Sequence, residues 1–287
     1  MSGAARVGDN HICPAVSGGP HTGGAILPPC STNVFTNGLP QARASDKLLC
    51  AVPAPNFIVT GSASVFVNGL PAARMLDMTM HPPPGQIMVG SIDVTIGGPP
   101  MGATLGNPAA GAAAFQAAAA GRTSGGTQQS YQNCGVESTR QLINQATGAS
   151  ITEDALLSSS LSAGHAVQEP SLADSGGTSP TSRSAILAEN GVASNLQPAT
   201  MDNIVQAVAE RRGVVTSHEV LHLWGGPQSG SHAIVVTGVE FNSAGNVANV
   251  IINDTGTGQG SRSVPAAQYQ RSLLPGRQAN VTANPIW

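Results

Sequence analysis

The chain has 287 residues, room for two domains that each bury a core, yet only 9% are charged and 3% aromatic, against 35 glycines and 21 prolines. A net charge of -3 supplies neither a nucleic-acid groove nor an anionic membrane surface with the field it needs. No run of about 18 apolar residues occurs, so no membrane span is expected. Met1-Ser2-Gly3-Ala4-Ala5-Arg6 lacks the charged-then-apolar order of a signal peptide, so a chain made as a soluble cytoplasmic protein is expected.

From the N-terminus, one phrase is written three times. Ala5-Arg6 leads through Asp9 to Cys13, Ala42-Arg43 through Asp46 to Cys50, and Ala73-Arg74 through Asp77 to His81, always as Ala-Arg-x-x-Asp-x-x-x-(Cys/His). A second phrase, Val34-Phe35-Thr36-Asn37-Gly38-Leu39-Pro40, returns as Val65-Phe66-Val67-Asn68-Gly69-Leu70-Pro71 and, degenerate, as Val94-Thr95-Ile96-Gly97-Gly98. Short apolar runs broken by Gly, Pro and Asn-Gly predict β-hairpins with tight turns at Asn37-Gly38 and Asn68-Gly69. Cys13, Cys30 and Cys50 fall inside these repeats beside His11, His21 and His81, a distribution that suits metal binding better than a disulfide framework. A four-coordinate zinc with nitrogen and sulfur ligands would clamp the tapering end of such a repeat domain.

Pro99 to Gly126 is Gly- and Ala-rich and nearly uncharged, with Ala112-Ala113-Ala114 and Ala117 to Ala120 suggesting a short helix inside a connector. The expected boundaries are therefore 1–100, a linker over 101–126, and 127–287. Beyond the linker, apolar residues at helical spacing predict helices over Val136 to Ala146 and Met201 to Arg212, the second capped by Thr200 and stopped by Gly213. Glu153 to Ser182 is too rich in Ser, Gly and Pro to assign. Ala233 to Phe241 and Val247 to Asn253 flank Asn242-Ser243-Ala244-Gly245-Asn246 and predict a hairpin.

Cys134 stands at the start of the first of these helices, where the dipole and free N–H groups favour a thiolate. His232 opens a strand and could serve as its base. A group to orient the imidazole is expected at the end of the facing strand, where Asn253 and Asp254 compete. Gln128, with Gln129 and Gln132 as competitors, could donate to an oxyanion alongside the Cys134 N–H. A rival signature, His218-Glu219-Val220-Leu221-His222, fits a zinc hydrolase whose two histidines share a helix face with Glu219 as base. Its setting is strand-like, since Gly213-Val214-Val215-Thr216 runs into it, Gly225-Gly226-Pro227 ends it, and Gln228 occupies the third-ligand place. His165 and Arg211-Arg212 read as solvated surface groups.

Two resemblances follow from these residues. Residues 4 to about 100 resemble the PAAR-repeat proteins that sharpen the type VI secretion spike, through Gly8-Asp9-x-His11-x-Cys13-Pro14, Pro20-His21-x-Gly23-Gly24, both Asn-Gly-Leu-Pro-x-Ala-Arg phrases and Asp77-Met78-Thr79-Met80-His81. The resemblance implies an all-β cone with a structural zinc near its apex, held by three histidines and one cysteine, which here selects His11, His21, Cys50 and His81. Repeat register instead places Cys13 in the position of Cys50 and His81, so the choice between His11 and Cys13 stays open. Ser45 and Leu76 replace the glycine found at Gly8, and Pro82-Pro83-Pro84 follows His81.

Residues 127 to about 260 resemble papain-fold cysteine peptidases, especially the bacterial branch that processes double-glycine leaders. That resemblance implies an α+β fold and peptide cleavage through a thioester, with Cys134 as nucleophile, His232 as base, Asp254 as orienting group and Gln128 as oxyanion donor. Together the two imply a multidomain type VI effector. Its cone would dock on a VgrG-type spike trimer, its peptidase would enter a target cell and cut proteins there, and a cognate immunity protein would protect the producer. The same residues would serve glutamine deamidation or acyl transfer, and a non-enzymatic spike extension is the remaining alternative.

Overall fold

The computed structural model describes residues 1–16, 18–50, 56–109, 132–171, 174–225 and 230–287. They divide into two compact units, Met1–Leu105 with Glu240–Ala248, and Gly106–Val239 with Asn249–Trp287. The first unit runs past residue 100 because Pro100–Gly102 pairs antiparallel with Thr60–Ser62. The alanine runs expected to form a linker helix lie outside the described residues.

The first unit is built from strands of two or three residues, and its repeats close on one another. Ala5 N–H donates to the Ala73 carbonyl, Ala73 N–H to that of Ala42, and Ala42 N–H to that of Ala5. Three copies of one phrase thus form a cyclic set of backbone hydrogen bonds, and alanine is the residue there because each of the three side chains is fully buried at the point of convergence. One residue further along each repeat sits an Arg–Asp staple: Arg6–Asp9 at 3.0 Å, Arg43–Asp46 at 2.9 Å and Arg74–Asp77 at 3.0 Å, with the Arg backbone N–H also donating to the same carboxylate.

Between the two charges the chain turns left-handed, at Gly8 (φ 87°), Ser45 (φ 77°) and Leu76 (φ 71°). Only the first copy keeps the residue for which this is free. In the other two the staple and an N–H bond, Ser45 to the Ile58 carbonyl and Leu76 to that of Ile87, hold the strained geometry. The predicted tight turns are present, with positive φ at Asn37, Gly38, Asn68 and Gly69, as a type I′ hairpin turn requires.

In the second unit we number strands β1 (Ser194–Pro198), β2 (Arg212–Glu219), β3 (Ser231–Phe241), β4 (Val247–Asp254), β5 (Gln259–Pro265) and β6 (Gln278–Pro285). They lie in the order β1-β6-β2-β3-β4-β5, and the β1–β6, β6–β2, β2–β3 and β4–β5 pairs run antiparallel. Helices α1 (Cys134–Thr147), α2 (Glu153–Ser162) and α3 (Pro180–Glu189) cover one face of this sheet. Val136, Leu142 and Ile143 of α1, Leu156 and Leu157 of α2 and Ile186 and Leu187 of α3 form one core with Val215, Ala233 and Val235.

Helix α4 (Met201–Ala209) is capped by Thr200, as its sequence predicts, but ends before Gly213, because Arg211 turns at φ 60° and Arg212 already opens β2. The unassigned stretch contains α2 and the start of α3, each announced by a hydroxyl cap, Thr152 and Ser179. Helix α5 spans Val220–Trp224, and α6 spans Ala266–Ser272.

Removing one half of a buried staple leaves the other charge stranded. Asp77→Asn, in the least exposed pair (6% and 3%), is expected to cost about 3 kcal/mol, and Asp9→Asn, where Arg6 is 16% exposed, roughly half as much, read by urea unfolding of the full chain.

Candidate metal centre and candidate active site

Each repeat of the first unit delivers one donor at the fourth residue after its aspartate: Cys13, Cys50 and His81. Three-fold closure supplies three ligands around an axis, and His21, from the loop before the Gly24–Ala25 strand, adds a fourth. All four are buried and their ligand atoms lie within 4.8 Å of one another. A tetrahedral zinc sets edges of about 3.3 Å between nitrogens and about 3.5 Å between nitrogen and sulfur. Here His21 Nδ1 and His81 Nδ1 are 3.1 Å apart, Cys13 Sγ is 3.5 Å from His21 Nδ1 and 3.6 Å from His81 Nδ1, and Cys50 Sγ is 3.4 Å from His21 Nδ1. Two thiolates and two neutral imidazoles also balance a dication. The residues present fit zinc, and its chemistry there would be to cross-link the repeat ends.

His11, expected among the ligands, is not in this group; Cys13 takes that place. The residues equivalent to His11, two positions after each aspartate, are Leu48 and Thr79, which are fully buried core residues. His11 follows them inward: its Nδ1 donates to the Gly24 carbonyl at 2.9 Å and Nε2 lies 3.3 Å from Asn56 Nδ2. Burial accordingly pushes its pKa below the ordinary histidine value, favouring the neutral ring that this pairing uses.

In the second unit, Cys134 is the first residue of α1 and is partly exposed, while His232 and Asp254 occupy facing strand ends. The Ala233 N–H reaches Cys134 Sγ at 3.4 Å, and the thiol and the His232 imidazole of the preceding residue act on each other's charge. On its other nitrogen, His232 Nε2 donates to Asp254 Oδ1 at 2.8 Å. That carboxylate is fully buried and also accepts from the Gly256 N–H, Thr257 Oγ1 and Arg262 Nη1, with the Arg262 guanidinium lying 3.7 Å over the Trp224 ring. Its neighbour Asn253 faces the opposite side of the sheet, donating to Gln141 Oε1 on α1 at 3.0 Å. Alternation along β4 therefore gives the imidazole to Asp254.

Electrostatics favour an ion pair. Burial opposes charge on Cys134, but the hydrogen bond and the positive charge of His232 outweigh it, and the thiol lies below its ordinary value. Burial likewise pulls His232 down, yet its bonds to Asp254 and Cys134 raise it to about 9. Asp254 resists burial and stays below the usual carboxylate range through His232, Thr257 and Gly256.

Gln128 and Gln129 lie outside the described residues, and Gln132 is exposed. The two histidines of the rival zinc motif do not converge. Strand β2 continues through Glu219, His218 is fully buried with both ring nitrogens bonded to Thr216 and Ser272, and His222 is exposed and bonded to Glu219 at 2.7 Å. Sequence reasoning missed Thr257, Arg262 and Trp224 around the carboxylate; only the first, three residues after Asp254, carried a local signal.

Residues 16–83 match the PAAR motif, and three of the four clustered ligands, His21, Cys50 and His81, fall within that span. Solved structures similar to the chain include one from Bacillus anthracis described as a C39-like peptidase, 13% identical, with a TM-score of 0.42 over 56% of this chain and 94% of that one. No protein of curated function matches the chain. The chain joins a β-rich region with a PAAR motif and a Cys/His cluster to a region of mixed helices and strands. No helix among the described residues is long and apolar enough to cross a membrane.

The ligand sets differ in one measurable way. Cys13→Ser is expected to lower zinc from about one per chain to well below half, while His11→Ala keeps it, read by elemental analysis of purified full-length protein.

Proposed function

We propose that this chain is a type VI secretion effector in which the PAAR-containing unit loads a cysteine peptidase onto the secretion spike. Residues 1–105 would dock on a VgrG-type trimer, with zinc bound by Cys13, His21, Cys50 and His81 as a structural clamp. The second unit would act in a target cell, and a cognate immunity protein would occlude it in the producer. The observation that carries the peptidase reading is the bond from His232 Nε2 to Asp254 at 2.8 Å, with the N–H of the next residue, Ala233, reaching Cys134 Sγ at 3.4 Å.

In this reading the Cys134 thiolate attacks a peptide carbonyl, and the oxyanion is met by the Cys134 N–H at the start of α1, with Gln128 as the candidate second donor. The His232 imidazolium then gives its proton to the departing amine, and water, deprotonated by the same ring, hydrolyses the thioester. Asp254 keeps the ring in the tautomer that points a nitrogen at sulfur.

Expression of the full chain in a sensitive bacterium is expected to inhibit growth and create new protein termini. Cys134→Ala should abolish both, with cleavage down by about four orders of magnitude on a purified target. Inhibition with no new termini but with converted glutamines would move the reading to deamidation; inhibition that survives Cys134→Ala would sink it.

The pH profile tests the ion pair. The active form needs the thiolate and the imidazolium together, so kcat/KM should fall on the alkaline side near the His232 value of about 9. Asp254→Asn removes what raises that value, and its alkaline limb should move to lower pH.

A further inference from the structure

Arg183, one turn into α3, is 2% exposed. Its Nε donates to Asn280 Oδ1 at 2.8 Å and its Nη2 to Ser217 Oγ at 2.9 Å, both neutral acceptors. No carboxylate pairs with it among the described residues. A buried guanidinium without an anion is costly, so a chain that keeps one has a negative charge nearby or gains something from the positive field.

Two contacts show where that field falls. A Cβ added to Gly135 would lie 3.4 Å from Arg183 Cδ, so the stem of the arginine runs against the residue that follows Cys134. Ser217, which holds Nη2, stands directly opposite Ala233 in the β2–β3 pair, and Ala233 is the residue whose N–H reaches Cys134 Sγ. The guanidinium is thus fixed from β2 and β6 on the flank of the nucleophile.

We infer that Arg183 is a positioning residue for Cys134, a second fixed cation beside His232 that holds the sulfur as a thiolate. The inference rests on the reading of Cys134 as the nucleophile. Burial pushes the guanidinium down to about 10, with the Cys134 charge opposing and Arg277 reinforcing the fall, so Arg183 stays charged at neutral pH. The ionisable groups acting on Cys134 are His232 from β3 and Arg183 from α3; those acting on Arg183 are Cys134 from α1 and Arg277 from the turn before β6. His232 must give up its proton during a catalytic cycle, whereas Arg183 cannot, so its contribution to the thiolate lasts through every step.

The test reads thiol chemistry in the full chain: the pH dependence of iodoacetamide alkylation at Cys134, followed by mass spectrometry of that peptide. Arg183→Met and Arg183→Gln, the second able to keep a bond to Ser217, should raise the alkylation midpoint by about one pH unit, a tenfold loss of thiolate below it. Arg183→Lys should hold it near the native value. An unmoved midpoint in either folded neutral variant overturns the inference, as does an equal rise in the lysine variant. Should neither neutral variant fold, Cys134→Ser answers through heat stability, since it leaves the guanidinium without its anion. A fall in Tm of several degrees at pH 7 is expected, and an unchanged or higher Tm overturns the inference. Because no readout is peptide cleavage, absence of peptidase activity would sink the functional reading and leave this test standing.

Discussion

The start of α1 is seated on the start of β3, and the contact between the Ala233 N–H and Cys134 Sγ marks that docking. Everything proposed for the second unit depends on it. A helix N-terminus alone makes a thiol slightly more acidic; the sheet adds the imidazole of the preceding residue, His232, and pairing of β3 with β4 adds Asp254. Val136, Leu142 and Ile143 hold the helix down through the core they share with Ala233 and Val235, so apolar packing fixes the distance over which the charges interact. On another side Gly135 leaves room for the segment that leads into α3, since an added Cβ would meet Thr178 Oγ1.

The first unit reaches a similar end by symmetry. Its strands are too short to be stable alone, and closure of three repeats gives the N–H groups of Ala5, Ala42 and Ala73 a partner in another copy. The same closure brings the fourth residue after each aspartate to one place. A tetrahedral ion needs one ligand more than a three-fold arrangement supplies, and His21, outside the repeated phrase, meets that need.

How much of this was legible depended on the range of the signal. Asn-Gly turns, the Thr200 cap and the strands flanking Asn242 to Asn246 are local patterns, and the structure contains them. Helix α2 was hidden because its serines are poor periodicity markers, although Thr152 caps it and Leu156 and Leu157 are its buried face. The choice between Cys13 and His11 was answerable from register, since equivalent positions in closed repeats have equivalent surroundings; a count of ligand types drawn from a resemblance led elsewhere. Asp254 and Asn253 were separable only once the face of β4 was known. Arg183 gave no signal, because nothing near it in sequence says that its partners come from β2 and β6.

The histidine of the discarded zinc motif has its own place in the argument. His218 lies directly opposite His232 in the β2–β3 pair, and a second positive charge there would work against the imidazolium beside Cys134. The hydrogen bonds of His218 close with a neutral ring. Ser272 Oγ donates to the Tyr269 carbonyl and so accepts from His218 Nδ1, while Nε2 accepts from Thr216 Oγ1, which in turn accepts from the Tyr269 hydroxyl. Burial, and then the charge of His232, push His218 down to about 3. Two histidines of identical intrinsic basicity, paired across adjacent strands, are thereby driven apart: one faces hydroxyls and stays neutral, the other faces a carboxylate and a thiol and carries the proton.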